Sequence, residues 1–125
     1  MGNQRVYKSS DYMQVSDGEP IRSVVVESAH SVIVAWHVEP GQAIAPHTHP
    51  EGQDTWTILS GQGLYQIDEP GGTVVVSPGD VVIARKGQVH GVRCTSSEAL
   101  RFISVVAPPD AGYVPLSVQV PAYAT

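Results

Sequence analysis

Gly41-QAIAP-His47-Thr48-His49-PEGQ-Asp54-TWTILS-Gly61 is the stretch that decides how the whole chain is read. His47, His49 and Asp54 fall within eight residues of it, between strand-like runs. Residues two apart in an extended segment leave the same face, about 7 Å apart at roughly 3.3 Å rise per residue. Two imidazoles so placed can converge on one ion. A carboxylate a short turn later adds an oxygen donor. Neutral imidazole with carboxylate suits Zn, Fe, Mn, Ni or Cu rather than Ca or Mg. An isolated H-x-H pair is equally what chance leaves in an exposed loop, so the rest of the chain has to decide.

Working outward, short apolar runs recur between turn residues. Upstream, Ile21 to Glu27 and Val32 to Val38 are β-branched and read as strands, the second stopped by Glu39-Pro40-Gly41. Alternation puts Val32, Val34, Trp36 and Val38 on one face of the second run, and Ile33, Ala35 and His37 on the other. Downstream, strands are expected through Leu59, at Leu64 to Ile67, Thr73 to Val76, Val81 to Ala84, Val89 to Cys94 and Leu100 to Val106. No segment has a helical period, and strand-like runs every eight to twelve residues indicate an all-β sandwich or barrel. Residues 1–125 are expected to form one domain, with an N-terminal arm over 1–20, a barrel over 21–106 and a tail over 107–125. The tail is too apolar for a solvated linker and is expected to pack on the barrel or on a partner subunit.

Composition excludes several function classes. A net charge of −5, with no Lys/Arg cluster longer than Arg85-Lys86, argues against a nucleic-acid partner. One cysteine, Cys94, excludes an internal disulfide framework and fits a reducing compartment. No apolar run reaches membrane-spanning length, and MGNQRVYKSSDYMQ holds none of signal-peptide length, so a cytoplasmic protein is expected. Nothing resembles a nucleophilic triad, a phosphate loop, a dinucleotide fingerprint or a helix-turn-helix.

The second informative stretch is Gly79-DVVIA-Arg85-Lys86-Gly87-QV-His90-GVR-Cys94. Taken with the first, it resembles the cupin family. That family's first motif reads G, five residues, H-x-H, three or four residues, E, six residues, G. Here Gly41 is followed by five residues, His47-Thr48-His49, four residues, Asp54 in place of Glu, six residues and Gly61. The second motif reads G, five residues, P-x-G, two residues, H, three residues, N. Here Gly79 is followed by five residues, Arg85-Lys86-Gly87, two residues, His90, three residues and Cys94. The 17 residues between Gly61 and Gly79 match small members of the family.

The resemblance implies an antiparallel double-stranded β-helix, a jelly-roll barrel, which agrees with the strand count. It also implies one divalent transition metal per chain (Fe, Mn, Ni or Zn), held by His47, His49, Asp54 and His90. Gln53 is an alternative to Asp54, since some family members use Gln. Only one of the two can face inward on a regular strand, and the spacing to Gly61 favours Asp54. Arg85 for Pro is expected to be a solvated turn residue, and Cys94 for Asn a small buried thiol. His37 is a candidate proton shuttle if it lines the cavity. Trp56 and Ile58 share parity with Asp54 and are candidate pocket walls. The family hosts dioxygenases, decarboxylases, isomerases, lyases and polyketide cyclases beside non-catalytic binding domains, and fold does not choose among them. Two functions follow as expectations. One is a metal-dependent enzyme acting on a small oxygen-rich organic molecule. The other is a non-catalytic small-molecule-binding or structural domain. A homodimer through edge strands, using the apolar final strand and tail, is implied as well.

Overall fold

The computed structural model describes residues 3–116. Ten strands follow in order: β1 Ser23–Glu27, β2 Val32–Val38, β3 Ala43–Thr48, β4 Gln53–Ser60, β5 Gly63–Gln66, β6 Thr73–Val76, β7 Val81–Ala84, β8 His90–Cys94, β9 Leu100–Ala107 and β10 Val114–Pro115. Among the described residues the helical structure is one 3-10 turn, Ser9–Asp11. The strands form two five-stranded sheets, ordered β1-β2-β9-β4-β7 and β10-β3-β8-β5-β6, with every pairing antiparallel. The fold is the all-β jelly-roll barrel that the sequence predicts.

Alternation decides what the barrel encloses. In β4, Asp54, Trp56 and Ile58 are buried while Gln53, Thr57 and Leu59 are exposed. In β9, Leu100, Phe102, Ser104 and Val106 are buried on one face. One end of the interior is filled by Trp56, Ile58, Leu100 and Phe102 from the first sheet against Tyr65, Val76, Val92 and Cys94 from the second. Trp56 stacks on Phe102 with ring centroids 4.1 Å apart and meets Tyr65 edge-on at 5.2 Å. Such pairs add to the burial of their large apolar area. A smaller cluster of Val32, Val34, Val106 and Ala111 closes the other side, and Trp36 packs against both. Between them the interior opens into a cavity of about 250 Å³.

The strand limits differ from the sequence reading in instructive places. β1 begins at Ser23, not Ile21, because the chain leaves β2 there and carries Glu19, Pro20 and Arg22 over the cavity. Leu100–Ala107, read as an edge suited to dimerisation, is the central strand of its sheet, with β2 and β4 on its two sides. The tail returns as β10, which pairs with β3. Its residues 107–116 pack on the chain's own barrel; residues 117–125 lie outside the described residues. Cys94 is a buried core thiol, and Arg85 is exposed in its turn.

Candidate metal centre

His47 faces inward because β3 breaks its own alternation. Ile44 lies opposite Val92, and His47 lies opposite His90. Three steps along β3 therefore match two along β8, which places one extra residue, a bulge, at Ala45-Pro46. Regular alternation from Ile44 would send Pro46 and Thr48 inward and both histidines outward. The bulge reverses that parity. Pro46 has no N–H to lose there, which is where a strand tolerates proline. β8 must come close to accommodate it: a Cβ on Gly91 would lie 2.9 Å from the Ile44 carbonyl and 3.0 Å from Pro46 Cα.

The topology brings four residues together. One nitrogen or oxygen from each of His47, His49, Asp54 and His90 lies within 4.8 Å of every other. The ring centroids are 4.2 Å apart for His47 and His90, and 5.1 Å for each of these with His49. His90 is fully buried and Asp54 is 5% exposed. Of the adjacent pair, Asp54 faces in and Gln53 faces solvent.

Backbone carbonyls orient the rings. His47 Nδ1 donates to the Ala45 carbonyl at 2.8 Å, and His49 Nδ1 donates to the Gly112 carbonyl at 2.7 Å. Gly112 has φ 83°, a conformation that glycine adopts without strain, and so presents its oxygen to His49. With Nδ1 donating, each ring turns its Nε2 lone pair inward. His49 Nε2 is buried and has no hydrogen-bond partner; it lies 3.4 Å from Asp54 Oδ2, poorly aligned to donate. His90 Nε2 donates to the same oxygen at 3.0 Å, and its Nδ1 lies 3.5 Å from the Gln88 carbonyl, so a change of tautomer frees Nε2. Asp54 Oδ1 accepts from Ser104 Oγ at 2.6 Å. These donors fit a divalent transition metal: imidazole nitrogens and one carboxylate oxygen converge, and an orphaned buried nitrogen is among them.

The electrostatics agree. Burial, helped by His90 alongside, pushes His47 down to about 4, so its ring is neutral and a ready donor at physiological pH. Burial works against charge on Asp54, but His49, His90 and Ser104 outweigh it and hold the carboxyl well below the usual carboxylate range. Burial also lowers His49, but the Asp54 carboxylate and the Gly112 carbonyl more than offset this and raise it.

The signs of these shifts predict a stability profile for the metal-free protein. His47 contributes stability that is present above its unfolded value of 6.5 and is lost as the pH falls from there towards about 4. His49, raised, contributes stability that is present below 6.5 and is lost as the pH rises through its folded value. Urea unfolding in chelator should therefore show wild type losing about 1–2 kcal/mol more than His47→Gln between pH 6.5 and 5. Equal losses in the two proteins would contradict a buried neutral His47.

His47, His49 and Asp54 form the floor of the cavity, His90 is fully buried beside them, and the apolar walls include Val34, Trp36, Ile44, Trp56 and Val106. Tyr113, 59% exposed, sits at its mouth with its ring 4.7 Å from His47. His37 does not line it. That residue is on the opposite face of β2, between Glu39 Oε1 at 2.9 Å and Arg101 Nε at 3.0 Å. The parity that puts Trp36 inside puts His37 on the opposite face of the sheet, where it is a buried bridge between Glu39 and Arg101. Ile58 belongs to the core, and Trp56 alone of that pair reaches the cavity.

Sequence reasoning passed over Ser104, Gly112, Tyr113 and Arg22. Ser104 carried a signal: it is the polar residue on the inward parity of Leu100, Phe102 and Val106. Ser104→Ala should lower metal affinity roughly 10- to 100-fold, as for other partners that orient a ligand. Competition against a chelator measures this, and unchanged affinity would deny Asp54 its place.

A family model described as "Cupin domain" matches residues 34–106. No curated protein is significantly similar in sequence. Among solved structures, an uncharacterized conserved protein with a double-stranded β-helix domain from Klebsiella pneumoniae subsp. pneumoniae MGH 78578 superposes with a TM-score of 0.88. It is 46% identical over 93% of this chain and 100% of its own. The polyketide cyclase RemF from Streptomyces resistomycificus superposes with a TM-score of 0.74, at 18% identity over 96% of this chain and 90% of its own. KdgF from Halomonas sp. does so at 0.66, with 22% identity over 78% of this chain and 86% of its own. These last two are alike in fold alone.

Proposed function

The chain belongs to the cupin family, and on that premise we propose that it is a metal-dependent enzyme acting on a small oxygen-rich organic molecule. The observation that carries this is the cluster of His47, His49, Asp54 and His90, the first three of which line a cavity with apolar walls. His47, His49 and His90 would supply nitrogens and Asp54 an oxygen to one divalent ion: Fe, Mn, Ni or Zn. Such an ion, when bound, polarises substrate oxygens or lowers the pKa of water. The chain's own contribution is to hold that donor set in place. Ser104 holds Asp54, the Ala45 and Gly112 carbonyls hold two rings, and burial keeps His47 unprotonated. The apolar walls exclude water and favour a substrate with an apolar body. That a polyketide cyclase is built on this scaffold fits such a substrate without choosing the reaction.

Metal analysis of purified protein, before and after chelation, tests the centre. The chelated protein is then reconstituted with iron and incubated under air with oxygen-rich acids and polyketide-type phenols, following oxygen and substrate. Metal-dependent consumption or isomerisation supports an enzyme. Tight metal binding with every candidate substrate left intact favours the non-catalytic binding domain.

A homodimer in a reducing, cytoplasmic setting belongs to the same proposal. Cys94 is a free buried thiol, which fits that setting. β6 and β7 end their sheets, and Val74, Val75 and Val81 on them are exposed. An apolar edge without lysine or proline invites pairing with a second copy. Val75→Lys should shift sedimentation from dimer to monomer, and a wild-type monomer would contradict the proposal.

A further inference from the structure

We propose that Arg22 selects a carboxylate-bearing ligand for the cavity, a reading that rests on the metal centre above. Arg22 stands one residue before β1, where the chain crosses the cavity mouth with Glu19 and Pro20. It is exposed, and among the described residues its guanidinium takes part in no ion pair or hydrogen bond. It is the one Arg or Lys lining this cavity among the described residues.

The other charged groups of the lining narrow the ligand. Asp54 is engaged at the floor by His90 and Ser104 and does not face an incoming anion unpartnered. Glu19 shares the rim with Arg22 but is not paired with it, and it disfavours ligands of high negative charge. A phosphate dianion would meet one cation and one anion there. A monocarboxylate matches the planar fork of a single guanidinium in bidentate fashion. Between rim and floor, Val34, Trp36, Ile44 and Val106 favour an apolar body, and about 250 Å³ holds a single ring or a short chain. The ligand class is therefore a compact monocarboxylic acid with a second oxygen for the floor.

The probes are 2-hydroxybenzoate and its neutral isostere 2-hydroxybenzamide, titrated calorimetrically into metal-loaded protein. Wild type should bind the acid about tenfold or more tightly than the amide, the usual worth of a charge-assisted hydrogen bond. Arg22→Gln should weaken the acid by about that factor and leave the amide within about twofold. Arg22→Lys should restore part of the preference, as a charge without the fork, and Glu19→Gln should preserve or increase it. Arg22 is exposed, so none of these changes threatens folding. An acid-to-amide ratio that survives Arg22→Gln overturns the assignment, as does a wild type that binds neither probe. Metal content on the same samples separates the two proposals. Arg22-dependent preference in a chain that holds no metal would sink the metal centre alone. Full metal content with Arg22-independent preference would sink Arg22 alone.

Discussion

His90→Ala should cost the protein more than about 100-fold in affinity for its divalent metal, with the barrel still folded. His90 is fully buried and faces His47 across the β3–β8 ladder, and its Nε2 lies 3.0 Å from Asp54. Removing a partner that merely orients a ligand typically costs 10- to 100-fold, and removing the ligand itself should cost more. Two imidazoles and Asp54 would remain, and Asp54 would lose a donor that holds its carboxyl ionised. His37→Ala is the matched control: its ring pairs with Glu39 and Arg101 away from the cavity, so full affinity is expected. Metal titration of the two variants, with circular dichroism to check folding, gives the comparison. Wild-type affinity in His90→Ala would mean that the four residues cluster without serving one ion.

Trp56→Ala should destabilise the domain by about 3–5 kcal/mol, as for other large aromatic residues removed from a core. Trp56 is 2% exposed, stacks on Phe102 and meets Tyr65 edge-on. It also supports the His90 ring, with centroids 5.6 Å apart. Domains of this size are stable by roughly 5–15 kcal/mol, so this single change removes a large share. Leu59→Ala lies in the same strand on the opposite, solvent-facing parity, and should stay within about 0.5 kcal/mol of wild type. Denaturant midpoints of the two variants check this. A loss below about 1 kcal/mol for Trp56→Ala would mean that the core does not rest on the Trp56–Phe102 stack.

The sequence made the architecture legible because period-two alternation and turn residues act locally. Val32–Val38, Thr73–Val76 and Val81–Ala84 have the limits that their β-branched runs predict. The histidine cluster was legible through spacing, since Gly41, Gly61 and Gly79, each at positive φ, mark the turns that frame the two motifs. What sequence missed is long-range. Ser104 reaches Asp54 across 50 residues, and Gly112 reaches His49 across 63. Arg22 meets the cavity only because β1 stops short. The bulge at Ala45-Pro46 sits between: a proline beside H-x-H was visible, but its effect on parity depends on the register with β8. His37 failed as a cavity residue for the same reason that Trp36 succeeded, because neighbours on a strand point opposite ways.

X-ray absorption spectroscopy at the edge of the metal that the purified protein retains is the most direct test of the central claim. A coordination shell with three imidazole nitrogens and a carboxylate oxygen, losing one imidazole in His90→Ala, is the predicted result. A shell of water and carboxylate oxygens, with at most one imidazole and no change in His90→Ala, would contradict it.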